Sequence, residues 1–394
     1  VSELGLESEI LPIKPDHVAS RNRYLYVKGR LHQMPSGLRA AFRTTPPFSR
    51  PIIQSVLKEI LVRRGKAEDE SVHAFVSRRL GSELADIAVD SICRGVFAGD
   101  SRLLSFRSCF PPLFEAERSR GSIFLGLLMG SEARPGIESS DLAMRAFIES
   151  WSQWSLKRGM QSLPEALVDS LSAQEQVELH HHAKVKSVNI DGGVWEIKLE
   201  DGASLKADHV ISCLPASAHP LSEQLRSIAT VTVAVVNLEY EGPILPVSGF
   251  GHLVPSSEDP ALLGVVYDSV PFPEHNRRGG VTTRLTVMMG GAWFEQAFGC
   301  PDSVSEQMLL ERAVKAVTSH LSLTSEPVWS FVAVLKNCIP QYHLGHWKTL
   351  EKMRQYISKH NLPLTLAGAS YDGVSVNDVI FSGRTAAEGL VGKC

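Results

Sequence analysis

The clearest chemistry lies near the end of the chain, in Leu364-Thr-Leu-Ala-Gly-Ala-Ser-Tyr-Asp-Gly-Val-Ser-Val-Asn-Asp-Val-Ile-Phe-Ser-Gly-Arg384. The short apolar run before Gly368 suits a buried parallel strand, and after Gly373 the apolar spacing through Ile380, Ala387 and Leu390 lengthens to helical. A strand, a glycine turn and a helix start aim unpaired backbone N–H groups at a ligand. The partial positive charge of a helix N-terminus suits phosphate or the electron-rich edge of a ring. The usual companion is absent: the 394 residues contain neither Gly-x-Gly-x-x-Gly nor Gly-x-x-x-x-Gly-Lys-Ser/Thr, so no pyrophosphate loop accompanies the turn.

Other chemistry is sparse. His180-His-His182 invites a metal reading, but neighbouring residues of a strand point to opposite faces, and a solvated turn is the better expectation. The cysteines at 93, 109, 213, 300, 338 and 394 show no metal-ligand spacing, so free thiols in a reducing compartment are expected and structural zinc is not. No Ser/His/Asp arrangement stands out, and no catalytic residue is assigned. Asp372 and Asp378 suit the turn and the first helical turn electrostatically.

The length predicts two or three domains. A formal charge of -3 gives no electrostatic case for nucleic acid, which leaves small molecules or proteins as partners. No apolar run approaches the roughly 20 residues that cross a bilayer; the best, Ile123 to Met129, stops at Gly130 and Ser131. The opening Val1-Ser-Glu-Leu-Gly-Leu6 reads as the end of a helix stopped by Gly5, and an N-terminal piece is expected to be missing.

The elements that must position the turn follow from periodicity. Tyr24 to Val27, a Lys28-Gly29 turn and Arg30 to Met34 predict a hairpin. From about 50 to 150 the spacing is helical. Within that region Leu103, Leu104, Phe106, Phe110, Leu113 and Phe114, with Arg102, Arg107, Arg118 and Arg120 around them, form either a helical core with solvated arginines or a membrane-lying face or greasy substrate mouth. Strands are expected at Val177–Leu179, Ala183–Ile190, Val194–Leu199 and Ala207–Pro215, with Asp191-Gly-Gly193 and Asp201-Gly202 turns. Further strands are expected at Val231–Tyr240, Leu262–Tyr267 and Thr283–Met289, with helices near 302–320 and 347–360.

With these pieces in view, the chain resembles the animal mitochondrial protoporphyrinogen oxidases, flavoenzymes of the amine oxidase superfamily. The likeness runs along nearly the whole chain. It is carried by Cys93-Arg-Gly-Val-Phe-Ala-Gly-Asp-Ser101, Gly249-Phe-Gly-His-Leu-Val-Pro-Ser-Ser-Glu-Asp-Pro260, Leu263-Gly-Val-Val-Tyr-Asp-Ser269, Lys336-Asn-Cys-Ile-Pro-Gln-Tyr342 with Gly345-His-Trp347, and the segment ending at Arg384. The family begins with a βαβ unit bearing Gly-x-Gly-x-x-Gly, so the resemblance implies an N-terminally truncated form. One departure is Lys157-Arg-Gly159, where the family usually shows two adjacent glycines.

The resemblance implies a six-electron oxidation of protoporphyrinogen IX to protoporphyrin IX in haem biosynthesis, through FAD, with molecular oxygen giving hydrogen peroxide. It assigns Arg23 to a substrate propionate, which a guanidinium fork grips without losing its charge. Leu253 and Met288 become walls of the substrate site, and Gly95 a close backbone approach to the macrocycle; read alone, Gly95 is equally a helix stop. Ala369, Val374, Ser375 and Val376 are assigned to the flavin, and Val185 to its adenine end. His346 and Trp347 are near the flavin without a defined role.

The implied fold is α/β with α+β elements: an incomplete FAD/NAD(P)-binding Rossmann-like domain from 1–18, 155–214 and 355–394, an amine-oxidase-type mixed-sheet substrate domain from 19–34 and 215–354, and an inserted helical, membrane-associated domain from 35–154. It further implies a peripheral protein on the intermembrane-space side of the mitochondrial inner membrane, with a homodimer and ferrochelatase as further partners. The competing readings are a catalytically inactive truncated chain and another flavin oxidase of the superfamily. The second is disfavoured because no Ser-Gly-Gly-Cys motif occurs.

Overall fold

A computed structural model describes residues 1–128, 140–218, 227–276 and 280–392; Met129, Gly130, Ser131 and Cys394 lie outside them. Its centre is a seven-stranded mixed sheet. The strand order is Trp329–Pro340, Thr230–Glu241, Thr282–Gly291, Leu262–Val266, Gly251–Leu253, Tyr24–Val27, Arg30–Gln33. Every pairing is antiparallel except Gly251–Leu253 against Tyr24–Val27, which is parallel and joins the early hairpin to the later strands.

Alternation along these strands decides which face is core. Val236, Leu238 and Tyr240 point with Leu285, Val287 and Met289 into a cluster closed by the helix Glu306–Leu321 through Leu309, Ala313, Ala316 and Val317. Each fully buried aliphatic side chain there contributes roughly 1.5–3 kcal/mol. Ser305 caps that helix by accepting from the Met308 N–H. The opposite face of the sheet looks toward the helices of the 50–148 region.

Those helices pack around Val72, Phe75, Val76, Cys93, Phe97, Leu104, Phe106, Phe114 and Ile123. Of the two readings left open for 103–114, the core is therefore the correct one. Leu103 alone is exposed, at 52%, while Arg107 stacks over Trp347 and Arg118 over Phe114. Beneath this core, Arg79 and Glu59 are fully buried and joined at 2.6 Å, with Glu117 3.5 Å from the same guanidinium. Ser122 Oγ and the Ile123 N–H donate to Glu59, and Arg79 Nη1 donates to the Val62 carbonyl, so both buried charges have hydrogen-bond partners besides each other.

The glycine turn is carried by a smaller unit. Leu364–Leu366 pairs in parallel with Val210–Ser212, and Val185–Asp191, Val194–Leu199 and Ser204–Ala207 form a separate antiparallel sheet. Trp195 Nε1 donates to the Pro363 carbonyl at 2.9 Å and fastens one to the other.

The predicted hairpins are present in register, and Gly5 closes a helical turn, with the Gly5 N–H on Ser2 O and the Leu6 N–H on Val1 O. Val177–Leu179 is loop instead of strand, and His180–His182 lies in an exposed turn. Among the described residues, five strands go unread in the sequence: Ile10–Ile13, Gln153–Leu156, Ser204–Ala207, Gly251–Leu253 and Trp329–Pro340. The last is masked by an irregularity between Leu335 and Ile339, where Asn337 takes φ +49° and breaks the alternation.

Candidate functional site

The turn after Leu366 is built as its residues require. Gly368 and Gly373 take φ of +107° and +143°, and a Cβ on Gly373 would meet the Asp378 carboxylate at 2.5 Å. Ser375 caps the 16-residue helix Val376–Val391 in a capping box: its Oγ accepts from the Asp378 N–H while Asp378 Oδ2 accepts from Ser375 N and Oγ. This changes the expectation for Ser375, whose N–H is engaged by its own cap. The N–H groups of Val374 and Val376 have no intrahelical acceptor before them and remain as donors at the helix start. The Val374 side chain packs on the Phe97 and Phe110 cluster, so the donor beside it is held from behind. A glycine-only turn, two backbone donors and a helix N-terminus fit the electron-rich edge of a flavin ring.

The expected substrate residues converge on the other face of the seven-stranded sheet. Leu253 is opposite Leu25 on one side and Gly264 on the other, and Gly264 is opposite Met288. Leu25, Leu253, Gly264 and Met288 thus form one cross-strand row, while His252 and Met289 turn into the core behind. Gly95 faces this row: a Cβ there would stand 2.7 Å from Leu253 Cδ2. Gly95 is not a helix stop; it sits inside the helix Asp90–Phe97, which ends at Ala98 with φ +48°. Arg23 lies two residues before Leu25 and so on the same face, exposed, its guanidinium 5.9 Å from the Phe250 ring centre. No carboxylate partners it among the described residues.

What holds the Gly95 helix over the sheet was not foreseen. Arg94, 1% exposed, donates from Nε to Val254 O and from Nη2 to the carbonyls of Asp259, Pro260 and Leu262, at 2.8–3.1 Å. Its guanidinium also stacks over Trp293 at 4.2 Å. Burial lowers its pKa to about 10 against the opposing pull of Asp90, Asp259 and Asp100, and the group stays charged at neutral pH. Asp90 completes the join by accepting from the Ser256 N–H at 2.7 Å. The signal available in the sequence was an arginine set between a cysteine and a glycine in an apolar stretch.

Val185 begins the edge strand of the three-stranded sheet, opposite Leu199, with a register shift before Ser187 that leaves its backbone irregular. Arg158 is exposed beside Gly159, which takes φ +86°. Two of the thiols are held protonated: burial pushes Cys93 far above its usual value and Cys109 up to about 12. Among the described residues, the five cysteines are free and no cluster of His, Cys, Asp or Glu has metal-binding geometry.

The profile of the flavin containing amine oxidoreductase family matches residues 1–391. The chain belongs to this family. As a flavin amine oxidoreductase it is 51% identical to human protoporphyrinogen oxidase over 404 residues, covering 100% of this chain and 83% of the relative. It is 27% identical to the coproporphyrinogen III oxidase of Bacillus subtilis, covering 98% and 82%. Its fold matches that of cyclohexylamine oxidase from Brevibacterium oxydans at a TM-score of 0.62 and 13% identity, covering 100% and 84%. The flavin that the family's description names suits the donor set of the turn at 368–376.

Proposed function

We propose that this flavin amine oxidoreductase is an oxygen-dependent protoporphyrinogen oxidase that uses FAD. The observation that carries the reading is the apolar row Leu25, Leu253, Gly264 and Met288 facing Gly95, with Arg23, which no carboxylate partners among the described residues, at its end. A flat, largely apolar macrocycle with carboxylate tails needs both parts. The 51% identity with human protoporphyrinogen oxidase supports the same substrate.

Bound in the turn at 368–376, FAD would supply the two-electron chemistry with oxygen as the final acceptor. The protein's own share is binding and orientation. Leu253 and Met288 take the ring's apolar faces out of water, Gly95 allows the backbone close approach, and Arg23 pairs with a propionate. Val374 and Val376 offer N–H groups at the helix start, and Ala369 borders the turn; the Val185 backbone is assigned to the adenine end. We further propose peripheral membrane association in the mitochondrion, supported by the exposed Leu57, Ile60 and Leu61 on one helix and Phe147 and Ile148 on another. Among the described residues, no helix is long and apolar enough to cross a membrane.

The test is aerobic conversion of colourless protoporphyrinogen to fluorescent protoporphyrin by the purified chain supplied with FAD, with hydrogen peroxide measured in parallel. FAD-dependent fluorescence and peroxide are expected. Flavin uptake with no turnover of this substrate would overturn the reading.

A further inference from the structure

Tyr342 lies just beyond the last strand of the large sheet and is 1% exposed. Its hydroxyl donates to the Ala369 carbonyl at 2.5 Å and accepts from the Gly373 N–H at 2.9 Å. One phenol therefore spans the glycine turn from side to side. The ring stacks on His346, centroids 4.1 Å apart and 13° from parallel. His346 Nε2 is 3.3 Å from Tyr371 O, and because a carbonyl only accepts, the proton is on Nε2. The stacked pair thus engages Ala369, Tyr371 and Gly373. Tyr342 is itself fixed from the helical side, where the Ser105 N–H donates to its carbonyl at 2.7 Å.

This arrangement does something the turn cannot do unaided. Gly373, at φ +143°, sits in a conformation that only glycine adopts and that external contacts must hold. The next donor in the chain is the Val374 N–H, so the direction in which Val374 and Val376 point follows from how Gly373 is held. We propose that Tyr342, supported by His346, is a positioning residue for the flavin: its hydroxyl sets the orientation of the N–H groups that the 368–376 turn presents to the cofactor. The proposal rests on the reading of that turn as the flavin site. Burial pushes the phenol's pKa upward and that of His346 down to about 4, so the hydroxyl stays a donor and the imidazole stays neutral across the working range.

The experiment is Tyr342→Phe in the full chain, with FAD affinity by fluorescence titration, the visible flavin spectrum, the midpoint potential, and the unfolding temperature without FAD. Loss of the hydroxyl leaves a partly buried carbonyl and N–H unpaired, and the FAD dissociation constant is expected to rise roughly tenfold or more, with a shifted flavin band and potential. The control is Tyr267→Phe, which removes an equally buried hydroxyl from His252 and is expected to lower stability while leaving the flavin properties unchanged. Affinity, spectrum and potential that Tyr342→Phe leaves as in the unsubstituted protein would overturn the proposal alone. Failure of the unsubstituted chain to take up FAD would overturn the flavin reading and the proposal with it. If Tyr342→Phe does not fold, amide exchange in the unsubstituted chain without FAD decides. The Gly373 amide is expected to exchange roughly tenfold or more slowly than that of Val374, and equal rates would overturn the proposal.

Discussion

Gly95 backs directly onto Leu253: a Cβ added to the glycine would stand 2.7 Å from the leucine's Cδ2. The contact is with the far end of a flexible side chain, so an alanine at 95 is accommodated by a shift of Leu253. Replacing a helix-interior glycine gains about 1 kcal/mol in helix propensity, which offsets the cost of that shift. Gly95→Ala is therefore expected to leave the unfolding temperature nearly unchanged while raising KM for the tetrapyrrole roughly tenfold, because Leu253 is pushed along the apolar row. Steady-state kinetics beside a thermal scan make the check. A variant with unchanged KM would separate Gly95 from the substrate.

Arg23 is exposed and has no ion-pair partner among the described residues, so its loss should not affect stability. Arg23→Ala is expected to weaken binding of a propionate-bearing substrate roughly tenfold to a hundredfold. Arg23→Lys should recover only part of this, because a single ammonium lacks the guanidinium fork. Substrate affinity measured against a propionate ester of the same ring tests the pairing, since the ester should bind both proteins alike.

The Glu59–Arg79 pair is a stability prediction independent of function. Glu59→Gln keeps the shape but leaves the fully buried Arg79 with only Glu117, at 3.5 Å, to balance its charge. A loss of about 3 kcal/mol is expected in denaturant unfolding, with the denaturant slope unchanged. A loss below about 1 kcal/mol would mean that Glu117 alone is sufficient.

A pH dependence follows from the histidines behind Leu253. His252 is 2% exposed, with Nδ1 2.8 Å from the Tyr267 hydroxyl and Nε2 2.9 Å from His320 Nδ1; Tyr26 stacks on His320, and Asp259 and Arg312 act on it from the far side. Burial lowers His252 to about 3 and His320 to about 4. The unfolded chain takes up protons below about pH 6.5 that the folded one refuses, so this stability is fully present above that pH and is lost as the pH falls toward 4. At pH 5 the loss from His252 alone is on the order of 2 kcal/mol. Unfolding midpoints near pH 7.5 and pH 5 should differ less for His252→Gln than for the parent chain; an equal drop would place the acid sensitivity elsewhere.

Local pattern made much of this fold legible before any coordinates. The hairpin at Tyr24–Gln33 and the strands around Asp191-Gly-Gly193 are written in alternation and turn residues, and both are in register. The strand Gly251–Leu253 was not legible, because three residues hold no period and its partner Tyr24–Val27 is more than 200 positions away. The site divides in the same way. The glycines and helix start of 368–376 announce themselves, whereas the capping box that occupies the Ser375 N–H depends on where the Asp378 carboxylate points. Arg94 and Tyr342 lie within recognisable motifs, yet their roles rest on acceptors from distant segments that no spacing rule connects.

Arg94 gathers four carbonyls from the segment 254–262 onto one guanidinium, and Asp90 holds the same segment from one helical turn earlier. The mechanical result is a rivet. Helix and sheet are pinned next to the point where Gly95 meets Leu253, so the spacing between them is a built-in dimension. Any molecule seated against Leu253 therefore meets a wall whose backing at Gly95 is already in contact and fixed.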